Sequence, residues 1–437
     1  MGAVIRMGRK VAFYTLGCKF NQYETQLLSE RFSRLGFETV GETEWADVYV
    51  INSCTVTGMA DRKSRNFARR SKRLNPQALT AMVGCYAEVA ADALREMPEI
   101  DLLLGAAEKD SLPERVQTLL SPNVVVLDPL PHSQQTTPPG TVTGLRERTR
   151  AYLKIEDGCD RFCAYCIVPY ARGAVRSRPE EDILREARAL LENGYKEIIL
   201  AGINLALYGT DTGALTPGSG ILRIIDRISE LPGDFRIRLS SLEPTVIDEP
   251  CAQQLTQRER LCPHLHLSLQ SGSDDILARM GRRYRMDGYR RIAEVLKAHD
   301  PDWSITTDLI VGFPGETEAD FAASLCAVQE IGFSRLHVFR YSRREGTRAA
   351  SMPDQIPGDV KNERSRRLIE AGEQSAARFL EQNRGKTRQA LVLGRVGVEP
   401  DAGAAKHVYE GITDNDIEVR IRSASDLTNC FVPHVIG

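Results

Sequence analysis

From residue 8 to 128 short apolar, β-branched runs alternate with helical periodicity. Val11–Leu16, Val48–Asn52 and Leu79–Val83 read as strands, and Leu102–Leu104 and Val124–Leu127 as shorter ones. Asn21–Leu35 reads as an amphipathic helix stopped by Gly36, Met59–Leu74 as a basic helix and Val89–Met97 as a third. Such alternation predicts an open parallel sheet with helices on both faces. The next stretch, Asp128–Gly144, is rich in Pro, Thr and Gln and has no apolar period; residues 129–144 are expected to be a linker.

A second region, residues 145–384, repeats the pattern with six strand candidates: Ala151–Ile155, Glu197–Ala201, Arg236–Ser240, His264–Leu269, Ser304–Val311 and Leu336–Tyr341. Between them lie helical patterns such as Glu180–Glu192, entered by Pro179, and Glu316–Ile331, closed by Gly332. Six strand–helix repeats suggest a partial (β/α)6 barrel, with its chemistry at the carboxyl ends of the strands. A charged helix is expected over Asp359–Gln382. Residues 385–437 then show strands at Gln389–Leu393, Glu418–Ile421 and Cys430–Val435, with turns expected at Gly394, Gly397, Gly403 and Gly411. A small β-barrel fits them. Such barrels commonly bind oligonucleotides, and a plain capping domain is the alternative. The class is thus α/β with three domains, in keeping with a chain of 437 residues.

Composition narrows the setting. Hydrophobic residues make up 42% and charged residues 27%, a globular balance. No apolar run is long enough to span a membrane. The start is too short and polar for a signal peptide, so a cytoplasmic location is expected. Ten cysteines in that setting point to metal or catalytic use and not to disulfides. A net charge of −2 argues against a generally basic nucleic-acid binder. The charge is uneven, however: Arg62–Arg73 carries seven basic residues and no acid, and Arg279–Arg291 carries six with Asp287 the sole acid. Arg335, Arg340, Arg343, Arg344 and Arg348 form a third group. These runs are either solvated faces or contacts for a polyanion such as RNA.

The candidate chemistry centres on IEDGCDRFCAYCIVPY, which places Cys159, Cys163 and Cys166 in a C-x3-C-x2-C spacing. Thiolates suit zinc or iron–sulfur clusters. A closed zinc site needs four ligands, and no fourth Cys or His follows nearby. Three ligands on a four-iron cube leave one iron open, the requirement of a radical S-adenosylmethionine (SAM) centre; a zinc knuckle completed by a remote residue is the alternative. Tyr165, between the second and third cysteines, is placed to lie against the adenine of SAM or simply to pack in the loop. Cys18, Cys54 and Cys85 each fall just beyond a strand of the first domain, the edge where open α/β sheets bind ligands. They suggest a second three-thiolate cluster, against buried small hydrophobes. Asn204, Glu243, Gln270 and the run Gly312–Glu316 collect at barrel strand ends, either as SAM contacts or as helix caps. Asp308, inside a strand with Thr306 and Thr307, needs a partner and is expected to face the site. Cys251, Cys262, Cys326 and Cys430 have no matching spacing and read as structural.

These residues carry a family likeness over nearly the whole chain. TLGCKFNQYET, NSCTVTGMADRKSR, VGCYAE, EDGCDRFCAYCIVPYARG, SLQSGSD and TDLIVGFPGETE resemble the radical SAM methylthiotransferases. TLGCK-x-NQYET and TVT-x4-DRKSR resemble the branch that modifies N6-threonylcarbamoyladenosine in tRNA. The resemblance implies an auxiliary-cluster domain, a radical SAM barrel and a C-terminal TRAM domain, here short and with weak last strands. It implies two 4Fe-4S clusters, one on Cys159, Cys163 and Cys166 and one on Cys18, Cys54 and Cys85. It further implies 5′-deoxyadenosyl radical abstraction of hydrogen from C2 of adenine, and methylthio transfer from the auxiliary cluster. A second SAM would supply the methyl group. The implied partners are the tRNA anticodon loop, a flavodoxin- or ferredoxin-type electron donor and a sulfur donor that the sequence does not specify. Competing readings are transfer to isopentenyladenosine or to a ribosomal protein, and a non-catalytic RNA-binding metal protein.

Overall fold

The computed structural model describes residues 8–17, 19–120, 149–213, 215–401 and 404–437. Two compact units divide the chain: Met1–Val142 with Cys166–Ala174, and Thr143–Tyr165 with Val175–Gly437. The linker expected at 129–144 and the strand expected at Val124–Leu127 lie outside the described residues. No helix among the described residues is long and apolar enough to cross a membrane.

The first unit is a parallel sheet of β1 (Lys10–Thr15), β2 (Glu38–Val40), β3 (Val48–Ser53), β4 (Leu79–Gly84) and β5 (Leu102–Leu104), in the order β2-β1-β3-β4-β5. Every residue of β3 and β4 is buried, as expected of central parallel strands covered on both faces. One layer contains α1 (Lys19–Arg34), whose Leu28 and Phe32 join Val11, Val48 and Val50. Across the sheet, Phe67 and Ala68 of α2 (Gly58–Leu74) pack with Tyr49, Ile51 and Met82. Phe67 also stacks on Tyr14 at 4.0 Å. The helix expected over Val89–Met97 starts earlier and is broken. It forms α3 (Cys85–Val89) and α4 (Ala91–Arg95), with Ala90 non-helical between them. Gly84, at φ +99°, turns the chain straight into the helix, so Cys85 is its first residue. The unit closes with α5 (Leu112–Leu119) and receives α6 (Val168–Arg172), which packs on α3.

The second unit opens with β6 (Arg150–Lys154) and a short antiparallel pair, β7 (Glu156–Asp157) and β8 (Arg176–Ser177). Then follow α7 (Glu180–Glu192), β9 (Glu197–Ala201), α8 (Ser219–Ser229), β10 (Arg236–Leu239), β11 (Ser241–Leu242), α9 (Glu249–Thr256), β12 (His264–Leu267), α10 (Asp274–Met280) and α11 (Met286–His299). β13 (Ser304–Val311), α12 (Glu318–Ile331), β14 (Arg335–Arg340) and α13 (Gly358–Asn383) complete the repeats. β6, β9 and β10 pair in parallel, as do β11, β12, β13 and β14, and an Ile237–Leu261 bridge links the two groups. The result is the expected open barrel of six β/α repeats in chain order. Side chains alternate along it: Leu265, Leu267, Ile305, Leu309 and Val311 join Tyr289, Ile292 and Leu296 of α11 in one core. The intervening His264, His266, Thr306 and Asp308 bond to one another instead.

The small C-terminal barrel takes the form of a curled four-stranded antiparallel sheet, β17-β16-β15-β18. Its strands are β15 (Thr387–Asp401), β16 (Ala404–Thr413), β17 (Glu418–Ser423) and β18 (Phe431–Val435). Gly394, Gly397 and Gly411 lie inside strands, not in turns. Gly394 and Gly397 fall where the β15–β16 register shifts, so they bend the ladder instead of ending it. Gly403 lies outside the described residues.

Candidate functional site

In the first unit parallel order puts three strand ends side by side. β1 and β3 pair up to Thr15–Asn52, and β3 and β4 up to Ser53–Gly84. Cys54 and Cys85 each follow the last paired residue and both are buried. Neighbouring strands are about 4.8 Å apart, so the two cysteines leave the sheet together. Cys18 lies outside the described residues, but Gly17 before it is described. A Cβ on Gly17 would stand 2.7 Å from Cys54 Cβ and 2.8 Å from its Sγ, and the residue has φ +101°. Only glycine lets the end of β1 come this close to the thiol. Around this edge Asn21 Nδ2 donates to Leu16 O (2.6 Å) and Ser53 O (3.2 Å), and Asn52 Nδ2 to Asn21 O (2.9 Å). Their role was not read from the sequence; the signal available was polar residues flanking each cysteine.

The boundary between the units falls inside the other cysteine loop, between Tyr165 and Cys166. On the barrel side Gly158 and Phe162 take positive φ, and the chain runs without helix or strand past Cys159 and Cys163. Ala164 N–H donates to Met280 O (2.7 Å) and Ala349 N–H to Ala164 O (2.8 Å), which pins the loop to the barrel. Burial pushes the Cys159 thiol up to about 12, and the neighbouring charges of Cys163 and Glu243 add to it. Burial also raises Cys163, against the opposing charge of Arg282. Thiols that resist ionisation without a cation, carried on one irregular loop, suit a cluster that would deprotonate them. Among the described residues no three His, Cys, Asp or Glu side chains are already drawn together as a metal site.

Above this loop the strand ends form a polar network. Asn204, after β9, donates through Nδ2 to Glu243 Oε2 (2.8 Å). Glu243, after β11, also meets Arg161 (3.1 Å), Arg282 (3.1 Å) and the Thr245 hydroxyl (3.1 Å). Arg282 reaches on to donate to the Tyr165 hydroxyl (2.7 Å). Tyr165 is half-buried against Ala164, Ile276, Met280 and Phe313. Glu156 accepts the Ile203 (2.9 Å) and Asn204 (3.0 Å) N–H groups, and burial pushes its carboxyl up to about 8. Asn204 Oδ1, Arg282 Nε and Glu156 Oε1 are buried with no hydrogen-bond partner among the described residues. Buried polar atoms are rarely left so, and these three stand at the strand ends beside the cysteine loop. Arg161, Arg282 and Glu156 were missed in the sequence, where they look like ordinary loop charges.

The other strand-end candidates separate. Gln270 is buried at φ +70°, donating its N–H to Asp308 O (2.8 Å) and accepting from Ile310 N–H (2.9 Å). Asp308 points with the interior set: His266 Nε2 (3.1 Å) and Ser268 Oγ (3.4 Å) contact its carboxylate, and His337 stands edge-on to His266. Burial opposes the Asp308 charge, but His266, His337 and Ser268 outweigh it and hold the carboxyl below its ordinary value. No contact joins Asp308 to the Asn204–Glu243 group among the described residues. In the Gly312–Glu316 run, Glu316 accepts from Gly312 N–H (2.6 Å) and Arg364 (2.7 Å), tying α13 to the barrel instead of facing a ligand. Cys251 and Cys262 are buried, but Cys326 and Cys430 are exposed and do not fill a core.

A cysteine loop after the first strand of an open β/α barrel, with unfilled polar groups at the strand ends, defines a radical SAM enzyme. The Radical SAM superfamily model matches residues 153–325, and uncharacterized protein family UPF0004 matches residues 10–105. The chain belongs to the radical SAM methylthiotransferase family. It is 36% identical to the threonylcarbamoyladenosine tRNA methylthiotransferase MtaB of Thermotoga maritima, covering 96% of this chain and 95% of that protein. The MtaB of Aquifex aeolicus is 38% identical over 88% of this chain and 93% of its own. A tRNA-2-methylthio-N(6)-dimethylallyladenosine synthase of Caldicellulosiruptor saccharolyticus is 33% identical over 96% and 88%. Among solved structures, the radical SAM methyltransferase TsrM of Kitasatospora setae superposes with a TM-score of 0.56 at 14% identity, over 79% of this chain and 74% of that one, a likeness of fold.

Proposed function

We propose that this chain is a tRNA methylthiotransferase that converts N6-threonylcarbamoyladenosine at position 37 to its 2-methylthio derivative. In this reading Cys159, Cys163 and Cys166 hold a 4Fe-4S cluster with SAM on its open iron, and Cys18, Cys54 and Cys85 hold a second. Those groups would supply, respectively, the radical that removes hydrogen from C2 of adenine and the methylated sulfur that replaces it. The chain's own residues orient them. Asn204 and Glu243 would receive the amino group of SAM, with Glu243 held in place by Arg161 and Arg282. Tyr165 would border its adenine. Gln270 and Asp308 are proposed SAM contacts deeper in the barrel, with His266 keeping the Asp308 carboxylate ionised. The reading keeps the three-domain division at 8–128, 145–384 and 385–437, and takes electrons from a flavodoxin- or ferredoxin-type donor.

The observation that supports this best is the pair Cys54 and Cys85 at adjacent strand ends, with Gly17 against the Cys54 thiol, in a chain that carries a separate cysteine loop. The identity to MtaB proteins over almost their full length favours the threonylcarbamoyl substrate. Nucleoside mass spectrometry of tRNA from a deletion strain tests it. Loss of the 2-methylthio derivative of threonylcarbamoyladenosine is expected, and loss of the isopentenyl derivative instead would move the enzyme to the other branch. Anaerobic reconstitution should give about eight irons per chain, from two four-iron clusters. Cys54→Ser with Cys85→Ser should leave about four.

A further inference from the structure

The three arginine-rich runs of the sequence fare differently in the fold. In the second, Arg282, Arg285, Arg290 and Arg291 each meet a carboxylate: Glu243, Asp274, Asp287 with Glu330, and Glu249. In the third, Arg335 meets Asp416 and Glu418, and Arg340 bonds Asn362. The second run is thus mostly paired, and the third is spread over β14 and the loop after it, not along one helix face. The first run lies on α2 and is paired less completely. Its buried side is Asp61, Ser64, Phe67, Ala68 and Ser71, so the cations turn outward. Arg65 bonds the Tyr86 hydroxyl, Arg69 stands 3.7 Å from Glu99, and Lys72 is 2.7 Å from Asp101. Arg62, Lys63, Arg70 and Arg73 are exposed and make no ion pair or side-chain hydrogen bond among the described residues.

Four unneutralised cations along one helix face repel one another, and nothing in the packing of α2 requires them. From Arg62 to Arg73 the face runs about 16 Å at 1.5 Å per residue. That matches about five phosphates of one nucleic-acid strand at about 3.4 Å each. Apolar groups lie at both ends. Val56 and Met59 are about half exposed where α2 starts, just after Cys54. At the far end Asn75 Nδ2 holds Ala46 O (2.9 Å), which anchors the turn bearing exposed Trp45. A cationic track flanked by an exposed indole is the combination that binds single-stranded RNA through phosphates and base stacking.

We infer that the outer face of α2, through Arg62, Lys63, Arg70 and Arg73, is a phosphate-binding track for the substrate RNA, leading its strand toward Cys54. The inference rests on the tRNA reading above and names where the auxiliary-cluster unit grips the substrate. Its test uses the full chain with reconstituted clusters and a tRNA transcript, with the dissociation constant measured across a range of KCl concentrations. Replacing all four residues by Gln removes four phosphate contacts, so the slope of log affinity against log salt should become shallower by about 3. Arg285→Gln with Arg291→Gln, two arginines already paired with Asp274 and Glu249, should leave the slope unchanged. Iron content and thermal midpoint serve as folding controls. If the quadruple variant fails them, R62Q/K63Q and R70Q/R73Q are measured separately, each with about half the loss of slope expected. A quadruple variant, or both pairs, with the wild-type slope and affinity would overturn the inference while leaving the tRNA reading intact. Failure of the wild-type protein to bind tRNA at all would overturn both.

Discussion

Glu156 shows how a single side chain records its surroundings. Its carboxyl sits under the strand ends, accepting two backbone N–H groups while Oε1 has no partner among the described residues. Burial raises it from 4.5 to about 8, so the folded state keeps a proton that the unfolded chain releases. The stabilising contribution is full below about pH 4.5 and is lost as pH rises toward 8. Glu156→Gln imitates the protonated form. The difference in unfolding free energy between variant and wild type should therefore grow in the variant's favour by about 1.4 kcal/mol per pH unit across that window. Urea titrations at several pH values check this; a flat difference would mean that Glu156 ionises normally. Arg282 makes a different case. Arg282→Met removes one of the two arginines on Glu243 and the hydrogen bond from Arg282 to the Tyr165 hydroxyl, and should cost about 3 kcal/mol. SAM affinity, measured by equilibrium dialysis, should weaken at least tenfold if Glu243 orients the ligand. Nothing in the sequence around Arg282 marks it off from Arg283, which is exposed; only the fold distinguishes them.

At the scale of elements, the segment that follows the cysteine loop is fixed by charge. Arg172, at the end of α6, is buried with Glu24 (3.2 Å) and Asn21 (2.9 Å) of α1 and lies over the Phe20 ring at 4.2 Å. Lys109 bonds the other Glu24 oxygen. Among the described residues one carboxylate thus pairs with two buried cations. Glu24→Gln should destabilise the protein by about 3–5 kcal/mol, because it leaves uncompensated charge inside. Arg172→Met with Glu24→Gln and Lys109→Met together should cost less than Glu24→Gln alone. Denaturant unfolding of the single and triple variants tests the ordering. The helices and central strands were legible because their apolar period is strong. The edge strand β2 was not, since ETV has no apolar pattern and is defined by its hydrogen bonds to β1. The two register shifts fall on β15, where Leu393 and Val396 are the extra residues, and they break its alternation just where the strand predicted from sequence ended.

At the scale of the second unit, the C-terminal sheet is part of the barrel floor. Glu197 and Arg236 open β9 and β10, Arg238 is the third residue of β10, and all three are buried. Arg236 donates to Gln389 O (3.1 Å) and Ile412 O (3.0 Å), and Arg238 to Thr413 O (3.1 Å). Asp416 meets Arg238 at 3.3 Å. Truncation after residue 384 would strip these acceptors from guanidinium groups, at about 1–3 kcal/mol for each donor left unsatisfied. The truncated chain should therefore melt well below the full chain by differential scanning calorimetry, and should lose stability as well as RNA affinity. An unchanged melting temperature would make the sheet an independent RNA-binding module. The sequence suggested such a module from its glycines and short strands, but gave no sign of the buried arginines beneath it, because Arg236 and Arg238 look like exposed strand residues.

The sequence by itself marked the candidate cysteines, three at a chelating spacing and three more after strands, because local spacing and strand polarity are written along the chain. The alternation of strands and helices likewise determined the α/β class. Only the tertiary structure decided which charges are spent on each other and which remain free. It paired Arg282, Arg285, Arg290 and Arg291 with carboxylates, buried Arg238 and Arg172, and left Arg62, Lys63, Arg70 and Arg73 of α2 without an ion pair among the described residues. The reason is physical: hydrophobic period is written along the chain, whereas an ion pair depends on which distant carboxylate the fold brings within about 4 Å.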